Sequence, residues 1–280
     1  MKRFLQNTIA FFTWLTGRVG NGPQDASELP PEAISELVPA ILFDRDEATV
    51  DPTPANFEPR DPEPHVQKYH WCIDNGHGSD TPGKRSPVLP DNRQFFEYEF
   101  NRDISARIMA KLDELGVSYM NVVPETTDVS LYNRVSRANQ ETSSLPKIFL
   151  SIHSNSSTTG AWETRDIKGT ESWFYGSSDN GKRLASAFQR HSIRLTGFRD
   201  RGIKYHSPTY KSFYVLRKTS MPAVLTESGF FTTQSECIQL LDPAVRAQIA
   251  QAHVDAIMDV ERNGMEGIAT YNKIVRIRKS

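Results

Sequence analysis

Cysteine is scarce in this chain, and its spacing matches no metal-binding or catalytic pattern. Cys72 and Cys237 are the only thiols among 280 residues. Cys72 stands in an apolar, strand-like run, where a buried thiol is the expected state. A GxSxG motif is also absent, so the sequence gives little support to catalysis by a serine or cysteine nucleophile. The two thiols do not determine the redox compartment.

The chain also lacks an excess of charge of either sign. It carries 33 Lys and Arg against 34 Asp and Glu, which gives a formal net charge of −1. Nucleic acid is therefore not expected as a partner, because phosphate backbones attract strongly basic proteins. Hydrophobic residues make up 38% of the chain, which fits a soluble protein with a real core. Recognition of a ligand must come from a local site.

The N-terminus has an apolar stretch that is short and interrupted by polar residues. Lys2 and Arg3 precede it, as in a signal peptide, but Gln6, Asn7 and Thr8 break the run and no small-x-small cleavage site follows. The stretch is too short and polar to predict a bilayer span. A signal, a surface-bound amphipathic helix and an inhibitory arm are three alternatives for this segment. No firm membrane partner is predicted, and the export route stays open.

Composition divides the chain into three parts. Residues 1–67 form an arm or linker with possible short helices, because prolines and acids recur from residue 20 onward. From 68 to 263, apolar strands alternate with amphipathic helices. This alternation predicts a single α/β domain with a mainly parallel, twisted sheet flanked by helices. Residues 264–280 form a basic tail, for which a solvated end is the default interpretation.

The central part contains recognisable strand and helix patterns. The strand-like segments are YHWCID, VSYMNVV, KIFLSIH, GTESWFYG and PAVLTE. The predicted helices cover residues 96–116, 130–140, 181–197 and 243–264. The first helix carries one apolar stripe, formed by Phe100, Ile104, Ile108 and Leu112. Gly116 is expected to end this helix.

Polar residues stand at or just beyond the ends of three predicted strands. Asp74 and His77 follow the first strand, His153 ends the third, and Glu227 ends the last. Since the carboxyl ends of parallel strands form the ligand crevice of α/β sheets, we expect these side chains to converge. The helix that begins near Glu97 starts at the same edge.

Two imidazoles and one carboxylate with an open fourth position are typical of a catalytic zinc site. We therefore predict that Zn²⁺ is bound by His77, Glu97 and His153, with Glu99 as the alternative to Glu97. The glycines on both sides of His77 remove side-chain bulk around it. Glu227 is predicted to be the unligated acid that takes a proton from water and delivers it to the leaving amine.

Five motifs follow one another in the order seen in a known enzyme family: DNGHG, EYEFNRDISARI, LYNRVSRAN, FLSIHSN and PAVLTESGFF. Together they resemble the zinc-dependent N-acetylmuramoyl-L-alanine amidases of the LytC/AmiC type (amidase type 3). The resemblance runs from about Tyr69 to Val260 and implies the same three ligands and the same catalytic glutamate. Asn75 and Ser79 depart from the family, which usually has proline and glycine there.

The resemblance also implies the reaction and the substrate. A zinc-activated water would hydrolyse the amide bond between N-acetylmuramic acid and the L-alanine of the stem peptide in peptidoglycan. Expected substrate contacts are Asn155, Arg201, Lys204 and His206, together with Tyr205, Tyr210 and Tyr214. A surface loop is the alternative interpretation of the segment from Phe198 to Leu216. A monomer acting in the cell envelope, the periplasm or the exterior is expected.

Other interpretations stay open on the sequence alone. A zinc carboxypeptidase would carry a glutamate three positions after the first histidine, where this chain has Asp80. A catalytically silent wall-binding module would keep the fold but would have no use for Glu227. Arg134 is expected to fix its helix against the sheet rather than to bind substrate. A phage endolysin and a bacterial autolysin both agree with the sequence.

Overall fold

The computed structural model describes residues 67–206 and 212–278, in which seven strands form one sheet. The strands are β1 (His70–Asn75), β2 (Tyr119–Asn121), β3 (Lys147–Asn155), β4 (Thr170–Phe174), β5 (Asp200–His206), β6 (Ala223–Phe230) and β7 (Ile274–Ile277). The helices are α1 (Glu97–Leu115), α2 (Leu131–Gln140), α3 (Asp179–Thr196), α4 (Tyr214–Lys218), α5 (Gln234–Leu241) and α6 (Pro243–Gly267). The predicted N-terminal arm lies outside the described residues up to residue 66.

The strand order is β2-β1-β3-β6-β4-β5-β7. Within the two described ranges every neighbouring pair is parallel except β4 and β6, so the mainly parallel sheet is confirmed. The antiparallel pairing of β4 with β6 reverses the direction of β4, β5 and β7 relative to the other strands. Because β1, β3 and β6 are parallel neighbours, their carboxyl ends lie together at one edge of the sheet.

Alternate residues of the central strands pack on opposite faces of the sheet, as the two-residue period of a strand requires. Trp71 and Ile73 belong to a large core that also contains side chains of α1, α3 and α6. Cys72, between them, belongs to a second core with side chains of α2 and α4. Both faces of the sheet are therefore covered by helices, which explains why β1 is buried along its whole length.

Helix α1 has the predicted apolar stripe and the predicted end. Its four stripe residues are fully buried in the larger core: Phe100, Ile104, Ile108 and Leu112. Burial of each such side chain contributes roughly 1.5–3 kcal/mol. Gly116 follows the helix with a φ of 66°, the left-handed conformation that ends a helix. This packing holds the first residue of α1, Glu97, at the carboxyl edge of the sheet.

Two strands lie where the sequence pattern predicted none. β5 occupies part of the segment for which a surface loop was the alternative, and β7 lies in the segment interpreted as a solvated basic tail. The two strands are parallel, with Ile203 opposite Ile274. Each segment is short and mixes basic with apolar residues, so neither has a strand pattern of its own. Their pairing with a distant part of the chain stabilises them.

The short helices α4 and α5 were also not predicted, and they are too brief to show a helical period. The four longer helices agree with the predicted ones in position. Among the residues that the structure describes, no helix combines the length and the apolar composition needed to cross a membrane.

One fully buried histidine links α6 to β6. His253 Nδ1 lies 2.8 Å from the carbonyl oxygen of Ile249, so Nδ1 carries the proton and donates it. Nε2 then accepts a hydrogen bond from the Thr226 hydroxyl at 2.9 Å. Burial lowers the pKa of His253 to about 4, although the hydrogen bond to Ile249 opposes this shift. The folded protein therefore holds this imidazole in its neutral form.

We predict that His253 makes the fold less stable in acid. Its pKa falls from 6.5 in an unperturbed chain to about 4 in the folded protein, so the unfolded chain binds more protons between these values. Through this group alone the free energy of unfolding should fall by about 3 kcal/mol as the pH drops across that interval. Urea unfolding of the wild type and of His253→Gln at several pH values measures the effect. Equal pH slopes for the two proteins would refute it.

Candidate metal centre

The three predicted metal ligands come together at the carboxyl edge of the sheet. His77 follows β1, His153 lies near the end of β3, and Glu97 is the first residue of α1. Glu97 Oε1 lies 3.5 Å from His77 Nε2 and 3.1 Å from His153 Nδ1. One ligand atom from each residue lies within 4.8 Å of the other two. A single metal ion can contact all three side chains at this spacing.

The sequence left Glu97 and Glu99 as alternatives for the carboxylate ligand, and Glu97 is the one that lies between the two imidazoles. Glu97 is 1% exposed, and its Oε2 has no hydrogen-bond partner among the described residues. A buried carboxylate oxygen without a hydrogen bond is costly, and Lys84, whose Nζ lies 3.7 Å from Oε2, is too distant to donate one. Glu99 is exposed and accepts a hydrogen bond from the Tyr98 hydroxyl at 2.9 Å. The geometry therefore favours Glu97 over Glu99.

The protonation states around the cluster suit metal binding. Burial lowers the pKa of His77 to about 3, although the negative charge of Glu97 opposes this shift. The His77 imidazole is therefore neutral at neutral pH, which is the form that binds a metal. Burial raises the pKa of Glu97, but the hydrogen bond with His153 and the electrostatic influence of the neighbouring histidines and Lys84 outweigh it and leave that pKa below its ordinary value. Two imidazoles and one carboxylate fit zinc.

The glycines beside His77 allow protein atoms to approach it closely. A Cβ atom on Gly76 would lie 2.1 Å from His153 Cε1. A Cβ atom on Gly78 would lie 2.0 Å from the backbone nitrogen of Asp128. His77 itself has a φ of 62°, a left-handed conformation that is uncommon for a residue with a side chain. The space left by the glycines is thus filled by the second imidazole and by a neighbouring loop.

Three polar side chains hold the loop of residues 75–78 in this conformation. Arg134 is 2% exposed, pairs with Asp74 at 2.7 Å and donates to a loop carbonyl at 2.8 Å. Arg102 and Asn101, both on α1, donate to two further loop carbonyls at 3.0 Å. Arg134 therefore ties α2 to β1, as the sequence predicted, and in addition it supports the loop that carries His77. Arg102 and Asn101 were missed, although their place one turn after Glu97 is a signal that could have identified them.

Glu227 lies beside the cluster without belonging to it. It is the register partner of His153 in the pairing of β3 with β6. Its Oε2 is buried and has no hydrogen-bond partner in the described part of the chain. Burial raises the pKa of Glu227 well above its ordinary value, and the negative charges of Glu97 and Glu171 raise it further. A carboxyl group with a raised pKa is suited to proton transfer as a general acid or base.

Glu227 and both imidazoles face one cleft of about 500 Å³, which we call the metal-site cleft. Part of its wall is formed by two segments, residues 128–131 and 213–215. Tyr214, one of the predicted substrate contacts, is among them. Tyr210 lies outside the described residues. The volume of the cleft is within the usual range of ligand-binding sites.

Three of the other predicted substrate contacts bind a buried carboxylate of the protein. Asn155 donates to Glu171 Oε1 at 3.0 Å, and Arg201 donates to Glu171 Oε2 at 2.6 Å. Lys204 also donates to Oε2, and the indole of Trp173 donates to Oε1 at 2.9 Å. Glu171 was missed in the sequence, where an acid inside an apolar strand pattern is the signal that marks it.

Glu171 also stands next to the acid of the site. It is the register partner of Glu227 across the antiparallel β4–β6 pair. The fourth predicted contact, His206, stacks on the Trp173 ring with centroids 4.7 Å apart. Three of the four predicted contacts therefore gather around Glu171, and the fourth, His206, packs on Trp173. None of the four lines the metal-site cleft. Their contact with substrate stays a prediction.

We predict that Glu171→Gln lowers the free energy of unfolding by about 3 kcal/mol, because two largely buried cations lose their anionic partner. Those cations are Arg201 and Lys204. The control is Glu114→Gln, which removes an exposed carboxylate paired with Lys111 and should change stability by less than about 0.5 kcal/mol. Urea unfolding curves measure both changes. Similar, small effects of the two substitutions would count against a structural role for Glu171.

We also predict that Gly76→Ala weakens zinc binding by about 10- to 100-fold, since the new methyl group overlaps the His153 ring and must displace it. Competition with a fluorescent chelator measures the affinity. The control is Gly160→Ala, whose φ of 71° adds backbone strain that Gly76→Ala does not have, but whose new Cβ meets no atom within 4 Å. Equal affinities of the two variants would show that the close packing of Gly76 on His153 is unimportant.

Comparison with known proteins relates this chain to enzymes of one kind. The family profile described as N-acetylmuramoyl-L-alanine amidase (Amidase_3) matches residues 72–259. The N-acetylmuramoyl-L-alanine amidase LytC of Bacillus subtilis (strain 168) is 31% identical over 192 residues, which are 68% of this chain and 35% of LytC. The endolysin of Bacillus phage SPP1 is 28% identical over 204 residues, which are 70% of this chain and 66% of the endolysin.

A solved structure shows the same fold. The crystal structure of an N-acetylmuramoyl-L-alanine amidase from Clostridium difficile 630 superimposes with a TM-score of 0.60 at 29% identity. The match covers 71% of this chain and 100% of that one. The family profile spans β1 to α6 and includes all the residues of the metal cluster and Glu227. The chain therefore belongs to the N-acetylmuramoyl-L-alanine amidase family.

Proposed function

We propose that this chain hydrolyses the amide bond between the lactyl group of N-acetylmuramic acid and the L-alanine of the peptidoglycan stem peptide. Membership of the amidase family supports the bond and the substrate. The observation that carries the proposal is the cluster of His77, Glu97 and His153 with the unligated Glu227 beside it. A protein that only binds the cell wall has no need of this cluster.

The three clustered side chains would hold Zn²⁺. Their donor atoms are of the right kind, and Glu97 Oε1 lies close to a nitrogen of each imidazole, which supports a cation at this place. When bound, zinc supplies a Lewis acid that polarises a carbonyl group and lowers the pKa of water to about 7. Arg134, Arg102 and the glycines of the 75–78 loop keep the His77 ring in position for this ion.

Glu227 is proposed to move the proton of the reaction. The water oxygen bonds to the lactyl carbonyl carbon, and Glu227 takes one proton from that water. The C–N bond then breaks, and Glu227 returns the proton to the nitrogen of L-alanine. The second water proton leaves the new carboxyl group and protonates the amine, so the products are a lactyl carboxylate and a stem peptide with a free ammonium group. The raised pKa of Glu227 suits both halves of this transfer.

The metal-site cleft is proposed to bind the stem peptide and the adjoining sugar. Apolar and aromatic side chains such as Leu131, Phe213 and Tyr214 line it, as is common in ligand sites. Further contacts with Asn155, Arg201, Lys204 and His206 stay proposals. A monomeric enzyme is part of the proposal. The similarity to LytC and to a phage endolysin supports action at the cell wall, as an autolysin or an endolysin.

We predict that Glu227→Gln lowers the release of amine from purified sacculi by at least about 100-fold, because the proton carrier is lost. Its zinc content should equal that of the wild type, since Glu227 is not a ligand. A chelator should abolish the wild-type activity, and added zinc should restore it. Glu99→Gln is the control, because Glu99 is exposed on the same helix as the ligand Glu97.

Loss of zinc from Glu227→Gln would make Glu227 a ligand, and full activity of this variant would exclude it from proton transfer. A wild-type protein that keeps its activity in the chelator would refute the metal-dependent mechanism.

A further inference from the structure

The metal-site cleft contains a lysine whose ammonium group makes no hydrogen bond within the described structure. Lys84 lines the cleft together with both imidazoles and Glu227. Its Nζ lies 3.7 Å from Glu97 Oε2, which is close enough for electrostatic attraction but too far for a hydrogen bond. The side chain is 37% exposed. The ammonium group is therefore both near the metal cluster and accessible from the cleft.

The backbone around Lys84 is attached to the start of α1. The Lys84 carbonyl accepts a hydrogen bond from the Glu97 backbone N–H at 2.9 Å. Two residues later, the Ser86 N–H donates to the Phe95 carbonyl, also at 2.9 Å. Lys84 is thus held next to the residue that supplies the carboxylate ligand. The fold therefore fixes the backbone of Lys84 beside the cluster, within reach of its side chain.

The other lining residue with a permanent positive charge is already paired. Arg134 is 2% exposed, and its guanidinium contacts Asp74 and Asp128 at 2.7 Å each. The two histidines of the lining are the proposed metal ligands. Among the described residues that line the cleft, Lys84 is therefore the cation whose charge is available to a substrate.

We propose that Lys84 is a further catalytic residue, whose ammonium group contacts the substrate carbonyl oxygen and stabilises the negative charge that this oxygen gains. The proposal rests on the amide hydrolysis proposed above. The charge appears when the water oxygen bonds to the carbonyl carbon, and it disappears when the C–N bond breaks and the nitrogen takes its proton. A positive group placed in advance within a partly enclosed cleft stabilises such a charge more strongly than water does.

The position of Lys84 also permits two simpler roles, which have different consequences. As a counter-ion of Glu97, it would act through the ligand, and its loss would change zinc binding. As an anchor for a stem-peptide carboxylate, it would act on substrate affinity, and its loss would raise KM. A role in stabilising the carbonyl oxygen acts on kcat instead, because that charge exists only during the reaction.

The test uses Lys84→Met, which keeps the length of the side chain and removes its charge. On zinc-loaded protein and soluble peptidoglycan fragments, kcat should fall about 100-fold with KM unchanged. The zinc content, measured by inductively coupled plasma mass spectrometry, should equal that of the wild type. Lys84→Arg keeps the charge and should recover part of kcat. The matched control is Arg85→Met, an exposed neighbour outside the cleft lining that should keep the wild-type kcat.

Three results would overturn the proposal: a higher KM with unchanged kcat, loss of zinc from Lys84→Met, or no change in either kinetic constant. Lys84→Gln serves as a second variant if the methionine variant aggregates. A zinc-loaded wild-type protein that releases no amine would refute the amidase function itself, and the role of Lys84 in it. That outcome differs from the other three because it appears before any substitution is made.

Discussion

The site depends on one buried carboxylate held between two imidazoles. Glu97 is enclosed by protein, and it contacts His77, which follows β1, and His153, which lies in β3. A buried carboxylate without partners costs several kcal/mol, so this arrangement is stable only with groups that offset its charge. Lys84 lies 3.7 Å from one carboxylate oxygen, which has no hydrogen-bond partner among the described residues. A metal ion bound to Glu97 and both imidazoles would offset the carboxylate charge further.

Strands and helices of the packed core fix the position of Glu97. Parallel pairing of β1, β3 and β6 places the end of each strand at one edge, and the apolar stripe of α1 fixes the helix that carries Glu97. The antiparallel pairing of β4 with β6 places Glu171 opposite Glu227. Arg201 and Lys204 both donate hydrogen bonds to Glu171. The three candidate metal ligands, the acid Glu227 and the charged group around Glu171 are therefore close together in the sheet.

The sequence was sufficient to predict the cluster, because its members stand where apolar strands end and an amphipathic helix begins. It was not sufficient for features that depend on a distant partner. The strands β5 and β7 have no marked pattern and are stabilised by each other. The basic residues Arg201 and Lys204 looked like a surface for substrate, since nothing in their own segment shows that Glu171 neutralises them. Lys84 lies in a loop with no period, and only the structure places it beside Glu97.

The central claim is that one zinc ion binds to these three side chains, and the position of the ion tests it most directly. Crystals grown with zinc can be measured by X-ray diffraction on both sides of the zinc absorption edge. The account predicts one anomalous peak about 2.0–2.2 Å from a ligand atom of each of His77, Glu97 and His153, with no bond to Glu227. A peak elsewhere, or one that has Glu227 as a ligand in place of Glu97, would contradict it.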